Sequence, residues 1–289
     1  MEAFLHQVLA GLANGAVYAS LALALVMIYQ STHHINFAQG EMAMFSTYLA
    51  WAMINAGVPY WLAFVSTVLA SFVIGVVIER AVIRRVANAP VLTVVVVFIA
   101  LLVIFNSVAG WIFSYTIKVF PSPFPSQPLF GPYISTHEAG VVGISVLVLT
   151  LLYLFFRFTP LGLAMRATAE NPVSARLAGI RVGWMLALGW GLAAAIGAVA
   201  GMMIASIVYL DPNMLSGVLL YAIAAALLGG IDNPFGAVVG GLAIGVLENL
   251  MGAYVVGTEL KLTVALAVII GVLIFRPTGL FGRAFVTRV

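Results

Sequence analysis

The sequence predicts an all-α protein, a polytopic bundle of about eight or nine transmembrane helices. Its 289 residues are 64% hydrophobic and only 7% charged, whereas soluble domains carry about 25% charged residues. Apolar stretches of about 20 residues, enough to cross a bilayer, recur from Leu5 to Phe275. Lipid cannot hydrogen-bond the backbone, so each span must close its own hydrogen bonds as a helix. A β-barrel is disfavoured because segments such as Val91 to Ile104 are apolar on every side and do not alternate.

Nine apolar segments are the predicted spans, and two of them are short. The segments 41–56 and 215–230 are bounded by Gly, Pro and Asn, which favours half-helices or re-entrant pieces there and leaves the count at eight or nine. In chain order the nine segments are 8–29, 41–56, 60–79, 91–113, 140–157, 184–209, 215–230, 236–254 and 261–276.

The basic residues predict an orientation. All ten arginines lie on one side of a nine-span arrangement, and the two lysines, Lys118 and Lys261, lie on the other. The positive-inside rule therefore puts the C-terminus and the middle loop in the cytoplasm and the N-terminus outside. Because the first basic residue is Arg80, the first helix is expected to be a permanent span and not a cleaved signal peptide. The pI near 9.3 reflects this topology, since the clustered basic face that nucleic-acid binding needs is missing from the sequence.

A proline-rich loop, about 114–139, is predicted on the outer side. Proline fixes φ and removes a backbone donor, so the loop is expected to be irregular and extended. It either docks an external partner or is a plain connector. Its prolines are Pro121, Pro123, Pro125, Pro128 and Pro132.

The cytoplasmic loop, about 158–182, carries signals for a short helix outside the bilayer. Asn171 suits the N-cap, Pro172 the first helical position, and Gly179 the residue that ends the helix. A second short helix is predicted over 162–168. A helix with so little apolar surface is suited to a groove on another protein, or else is an amphipathic loop at the headgroups.

Polar residues inside the spans are candidates for function, because an intramembrane charge costs at least about 2.5 kcal/mol. Glu248, next to Asn249, lies well within the eighth span, and Glu41 begins the second. We expect Glu248 to pair with polar groups inside the bundle, either to line a pathway or only to hold helices together. Asp232 is expected at a helix end.

Small residues are predicted to be packing surfaces. Spacing of about four between them lets helices approach closely. The stripes are Gly191, Ala195, Gly197 and Gly201, and Gly236, Gly240, Gly241 and Gly245.

Several chemistries are excluded or disfavoured by absence. With no cysteine, disulfides and thiolate ligands are excluded, and the four histidines show no metal-site spacing, so no metal site is predicted. The sequence offers no nucleophile and base set for an intramembrane enzyme. A P-loop needs Gly immediately before its Lys, yet Lys118 follows Ile117 and Lys261 follows Leu260. We therefore expect neither an enzyme nor a bound cofactor.

Four segments carry a family resemblance: HINFAQGEMAMFSTYLA (His34 to Ala50), MRATAENPVSARLAGI (Met165 to Ile180), ALLGGIDNPFGAVVGG (Ala226 to Gly241) and FRPTGLFG (Phe275 to Gly282). Together they resemble the permease subunits of ABC importers for branched-chain amino acids. The resemblance covers nearly the whole chain, and the NFAQGE run and the middle loop are its most specific parts. The compact length and the early NFAQGE are similar to the shorter of the two permease types of such importers.

The resemblance implies a single permease domain over 1–289, in the inner membrane of a bacterium, that imports leucine, isoleucine or valine. It implies four kinds of partner: the lipid bilayer, a second homologous permease, two cytoplasmic ATPases that bind ATP and Mg, and an extracytoplasmic substrate-binding protein. The second permease is either a different chain or a second copy. The middle loop then contains the coupling helix seated on an ATPase, with Arg166, Ala169, Glu170, Asn171, Pro172, Ala175 and Gly179 as the coupling residues.

The substrate pathway is predicted from chemistry. A zwitterion needs donors for its carboxylate and acceptors for its ammonium group, which Asn36, Gln39, Glu41 and Glu248 supply at helix breaks of the kind transporters use. Import of urea, short amides or other amino acids is an alternative. A secondary transporter or channel acting alone is another, but it leaves the capped cytoplasmic helix without a purpose. Co-purification of an ATPase would discriminate between these classes.

Overall fold

The computed structural model describes residues 2–125, 127–129 and 134–282, and most of them are helical. Pairing between extended segments in these residues is limited to two isolated bridges, so the all-α prediction is confirmed. Two short turns of other helix types lie among the α-helices, a π-helical turn over Glu79–Ile83 and a 3₁₀ turn over Thr258–Leu260. The helices are α1 (Glu2–Thr32), α2 (Gln39–Asn55), α3 (Tyr60–Ile78), α4 (Arg84–Val86), α5 (Val91–Phe113), α6 (Thr136–Phe158), α7 (Pro160–Glu170), α8 (Pro172–Leu177), α9 (Val182–Val208), α10 (Ser216–Gly229), α11 (Pro234–Tyr254) and α12 (Lys261–Phe275).

Seven helical segments of the described chain are long and apolar enough to cross a membrane, which makes this a multi-pass membrane protein. The two spans predicted to be short are short, since α2 has 17 residues and α10 has 14, against about 20 for a full crossing. Each predicted span thus corresponds to a helix, and the total of eight or nine crossings stays a prediction. The seven segments are Glu2–Thr32, Tyr60–Val86, Val91–Phe113, Thr136–Phe158, Val182–Val208, Pro234–Tyr254 and Thr258–Phe275.

Helix α6 begins earlier than the sequence pattern predicted, at Thr136 instead of residue 140. The Ser135 hydroxyl accepts from the N–H of Glu138 at 3.1 Å, and the Glu138 carboxylate accepts from the N–H of Ser135 at 2.8 Å. This capping box satisfies two backbone donors and sets the helix start. The described part of the proline-rich loop is irregular, as predicted. Pro132, Arg283 and Arg288 lie outside the described residues.

The described chain divides into two compact units. Unit A consists of the described parts of 1–26, 122–143 and 216–289, and unit B consists of 27–121 and 144–215. Helices α1 and α6 contribute residues to both units. The single permease domain over the whole chain stays a prediction about how the protein works as a unit.

In unit A, glycines bring α1, α10 and α11 into backbone contact. A Cβ added to Gly15 would lie 2.9 Å from the Cα of Leu242, and one added to Gly11 would lie 2.8 Å from the Cα of Val246. On the other face of α11, a Cβ on Gly236 would lie 2.8 Å from the carbonyl carbon of Gly229. The predicted packing role of the glycines in α11 is therefore confirmed.

In unit B, helices α2, α3 and α9 pack against one another. The Ser71 hydroxyl of α3 donates to the Ser46 hydroxyl of α2 at 2.7 Å. A Cβ on Gly201 of α9 would lie 2.9 Å from the carbonyl oxygen of Ala43 in α2. At the third contact Gly75 of α3 lies against Trp190 of α9, which is fully buried. These three helices form the core of the unit.

Replacing Gly75 with valine is expected to reduce the amount of folded chain severalfold. Its Cβ alone would lie 2.5 Å from the carbonyl oxygen of Trp190 and 2.8 Å from the Cβ of Ala194, and overpacking costs about 1–3 kcal/mol. Thermal melting and fluorescence-detected size exclusion in detergent measure the effect. Gly143→Val in α6 is the matched control, because a Cβ there meets nothing within 4 Å. Equal melting of the two variants would contradict the packing.

Candidate functional site

A polar helix break, residues 33–38, separates α1 from α2 in unit B, and three predicted pathway residues lie in it or in the first turn of α2. Asn36 is fully buried. Its side-chain oxygen accepts a hydrogen bond from the N–H of Ala38 at 3.0 Å. Its backbone carbonyl oxygen accepts one from the N–H of Gln39 at 3.2 Å. These hydrogen bonds lead the chain into α2, whose N-cap residue, Ala38, makes no side-chain capping bond. The break therefore brings Asn36, Gln39 and Glu41 together at the first turn of a short helix.

Gln39 is fully buried between α2 and α9. Its side-chain nitrogen donates to the carbonyl oxygen of Ala193 at 3.0 Å, and a Cβ on Gly197 would lie 2.6 Å from that nitrogen. Its side-chain oxygen has no hydrogen-bond partner among the described residues. Leaving such an oxygen unpaired costs about 1–3 kcal/mol. Gln39 therefore offers a buried acceptor to a mobile donor, such as water or substrate.

Glu41 is a second buried acceptor, with an exposed fraction of 6%. The side-chain nitrogen of Asn106 in α5 lies 3.4 Å from the Glu41 carboxylate. The same nitrogen lies closer to two other acceptors, at 2.9 Å from the carbonyl oxygen of Pro212 and 3.1 Å from the side-chain oxygen of Asn213. An amide group has two hydrogens for these three acceptors, and the longest contact is the weakest. The Glu41 carboxylate can therefore accept a further donor, for example an ammonium group.

Asn106 was not among the predicted site residues. It is the only amide side chain in α5, a helix that is otherwise almost entirely apolar. An isolated amide in a membrane span is a detectable signal, because it needs a partner inside the bundle.

Glu248 pairs with polar groups inside unit A, as predicted. The Tyr18 hydroxyl donates to its carboxylate at 2.7 Å, and the Lys261 ammonium lies 3.6 Å from the other carboxylate oxygen. Lys261 also donates to the side-chain oxygen of Asn249 at 3.2 Å, and Asn249 donates to the carbonyl oxygen of Gln7 at 3.2 Å. The network ties α1, α11 and α12 together. Tyr18 and Lys261 were not predicted to take part.

Helix α8 has the caps that the sequence predicted. The side-chain oxygen of Asn171 accepts from two N–H groups of the first turn, each at 3.0 Å. At the other end Gly179 adopts a φ of +81°, and the N–H of Ile180 donates to the carbonyl oxygen of Ala175 at 3.0 Å. This pair of features is a Schellman ending, which needs a residue tolerant of positive φ. Local residues alone therefore define α8.

Helix α7, in front of α8, is longer than the predicted segment 162–168. Thr159 caps it by accepting from the N–H of Gly162 at 3.0 Å, and Pro160 takes the first helical position. Thr159 and Pro160 form a cap that the prediction overlooked. On α7 the side chains of Arg166 and Glu170 are exposed, and Ala169 is half-buried.

Helix α8 exposes its larger apolar side chains. Val173 is 65% exposed and Leu177 86% exposed, whereas the small Ala175 is 3% exposed. Asn171, Pro172 and Gly179 are exposed as well. A six-residue helix that turns its apolar residues outward presents a surface that a partner can cover.

The predicted site residues divide between the units. Glu248 lies in unit A, and unit B contains Asn36, Gln39 and Glu41 with all seven predicted coupling residues. Within the part of the chain that the structure describes, no three His, Cys, Asp or Glu side chains are grouped so that they could hold a metal ion.

Comparison with known proteins gives a family match over residues 7–273, to the "Branched-chain amino acid transport system / permease component". The chain is 32% identical, over 302 residues, to the "High-affinity branched-chain amino acid transport system permease protein LivH" of Salmonella typhimurium, a match that covers 99% of this chain and 98% of that protein. The corresponding protein BraD of Pseudomonas aeruginosa is 32% identical over 304 residues, with the same coverage. The "Probable branched-chain amino acid transport permease protein LivH" of Methanocaldococcus jannaschii is 27% identical and is matched over 91% of this chain and 87% of its own.

Proposed function

The chain belongs to the family of branched-chain amino acid transport permeases, and from this premise we propose that it is the membrane-spanning subunit of an ATP-driven importer of leucine, isoleucine and valine. The observation that carries the proposal is the similarity along 99% of the chain to permeases whose own names state that substrate class. As a transport subunit, the chain is not an enzyme.

ATP hydrolysis is assigned to separate chains. Neither lysine of this sequence stands in a P-loop context, so ATP and Mg are expected on two cytoplasmic ATPase subunits. A second homologous permease, either a different chain or a second copy, and an extracytoplasmic binding protein complete the proposed importer. Its place is the inner membrane of a bacterial cell.

Helix α8 is the proposed coupling helix. Its exposed Val173 and Leu177 suit a groove on the ATPase, and the charges of Arg166 and Glu170 lie on the exposed surface of α7 just before it. Closure of the ATPase pair would push α8 and shift the bundle between inward-facing and outward-facing states. Such a shift requires the partners to bind the two states with different affinity.

The proposed pathway uses the buried acceptors. Glu41 and the free oxygen of Gln39 are available to the ammonium group of an amino acid, while Asn36 and Glu248 already have protein partners. A weak site of this kind suits a permease to which a binding protein delivers the substrate. Urea and short amides, which lack the charge pair, and other amino acids are the alternative cargo.

Purification of the tagged chain from its native membranes in mild detergent is expected to recover a second permease and P-loop ATPases, in a complex that hydrolyses ATP. Reconstituted in proteoliposomes with its binding protein, the complex should import radiolabelled L-leucine only when ATP is supplied on the side of the membrane that carries the ATPase subunits. Competition by unlabelled valine, but not by urea, would support the substrate class. A pure chain that transports solute without ATP would overturn the proposal in favour of a secondary carrier.

A further inference from the structure

An ion pair in the segment just after α3 places an arginine against the first turn of α9, inside unit B. Glu79 is 3% exposed, and its carboxylate accepts from Arg84 at 2.8 Å and 3.2 Å. Arg84 also donates to the carbonyl oxygen of Gly183 in α9. The segment between the pair is π-helical, a local widening that occurs frequently at functional sites. One guanidinium thus holds together two helices through a buried carboxylate and a backbone carbonyl.

A second arginine makes a parallel connection. The guanidinium carbon of Arg80 lies 3.2 Å from the centroid of the Trp184 ring, also in the first turn of α9. The Nε of Arg80 is buried and has no hydrogen-bond partner among the described residues, and its charge lies over the Trp184 ring and interacts electrostatically with the Glu79 carboxylate. Cation–π contacts contribute about 0.5–2 kcal/mol, more when they are desolvated. We call Glu79, Arg80 and Arg84 with their contacts at Gly183 and Trp184 the arginine clamp.

The contacts of the arginine clamp on α9, at Gly183 and Trp184, come shortly after α8 along the chain. The Schellman ending of α8 closes at Ile180, and α9 begins two residues later at Val182. Ala164 of α7 and Trp184 line one open groove of about 410 Å³. The first turn of α9 therefore meets α7, the end of α8 and the arginine clamp at once.

From the arginine clamp, tight contacts lead to the polar break before α2. Gly75, one turn before Glu79, lies against the backbone of Trp190, and Ser71 donates to Ser46 of α2. The first turn of that same α2 carries Gln39 and Glu41. Close-packed interiors transmit displacement, because they are not continuously deformable.

We propose that Glu79, Arg80 and Arg84 are positioning residues that make α3 and α9 move as one body, so that a displacement of α8 reaches the polar break before α2. This inference rests on the proposed function, in which an ATPase moves α8. Without the arginine clamp, the first turn of α9 would shift alone, and ATP would be hydrolysed without opening the pathway. The tightly packed middle of α3 and α9, at Gly75 and Trp190, keeps unit B folded in either case, so that only the first turn of α9 is released.

The test is the number of ATP molecules hydrolysed per L-leucine imported, measured on the assembled complex in proteoliposomes. Glu79→Gln and Arg84→Gln are expected to lower import about tenfold, within the usual range for coupling between sites, while ATPase activity stimulated by the binding protein stays within about twofold of wild type. Arg84→Lys keeps the charge and a donor and should recover part of the import. Trp184→Phe keeps a ring and should couple better than Trp184→Ala.

Arg85→Gln is the matched control, since Arg85 lies next to Arg84 on the same short helix α4 and takes part in none of the contacts of the arginine clamp, and it should keep the wild-type ratio. If Glu79→Gln and Arg84→Gln hydrolyse the wild-type number of ATP molecules per leucine imported, the inference is wrong and the proposed function still stands. Import and ATPase activity that fall in equal proportion per assembled complex would also overturn it, because the role would then be structural. A wild-type complex that imports leucine without ATP would overturn the proposed function together with the inference.

Discussion

Replacing Arg166 and Glu170 together with alanine is expected to reduce ATP-driven import at least about tenfold and to abolish stimulation of the ATPase by the binding protein. Both side chains are exposed on α7 beside the proposed coupling helix, so the chain itself should fold normally. Truncating charged groups in a buried interface costs about 2–5 kcal/mol, which is ample for a tenfold loss. Leucine uptake and ATPase activity of the reconstituted complex, normalised to the amount of assembled complex, provide the measurement.

Arg157→Ala is the control for this double variant. Arg157 is an exposed arginine of the same loop region, at the end of α6, and is not among the predicted coupling residues. Normal import with normal stimulated ATPase activity in the double variant would refute the coupling role. The pattern also separates this contact from the arginine clamp, whose variants are expected to lose import but to keep ATP hydrolysis.

Replacing Lys261 with methionine is expected to destabilise unit A by about 3 kcal/mol, the lower end of the usual cost of removing one partner of a buried ion pair, because the Lys261 side chain is 25% exposed. The variant leaves Glu248, which is 6% exposed, without the ammonium group 3.6 Å away. The melting temperature of the purified chain in detergent measures the loss. Lys118→Met is the control, because the other lysine of the chain contacts Trp51 and Thr116 instead of a carboxylate.

A second substitution distinguishes the two roles open to Glu248. Combining Lys261→Met with Glu248→Gln removes both charges and keeps an acceptor for the Tyr18 hydroxyl, so most of the lost stability should return. If Glu248 lines the pathway, the first of these two roles, import stays about tenfold or more below wild type in the stable double variant. Recovery of import together with stability would mean that Glu248 only holds α1, α11 and α12 together.

Helix positions were the most predictable feature of this chain. The predicted span 91–113 coincides with α5 (Val91–Phe113), because a bilayer of fixed thickness sets the length of an apolar helix. The caps of α8 were predictable too, since Asn171 and Gly179 act on backbone groups within a few positions of themselves. The start of α6 was misplaced where the Ser135 and Glu138 capping box was overlooked.

The partners of the buried polar groups were not predictable in the same way. Glu248 was expected to find a partner, but its partner Tyr18 is 230 positions away. The periodicity of a helix indicates which side chains share a face, and it carries no information about the helix that lies against that face. Arg84 illustrates the same limit, because nothing near it in sequence points to the carbonyl of Gly183, 99 positions away.

The sequence by itself determined that this chain is a helical, multi-pass membrane protein of the branched-chain amino acid permease type, with a capped short helix between its spans. Composition, the length of apolar segments and helix capping depend on residues close together in the chain, so their consequences can be predicted without knowledge of the tertiary structure. Only the tertiary structure decided which side chains share a site: Asn106 beside Glu41, Lys261 beside Glu248, and Arg84 beside Gly183. Those contacts arise when distant helices pack together, since the glycine contacts and buried polar groups of each helix are satisfied only by particular neighbours.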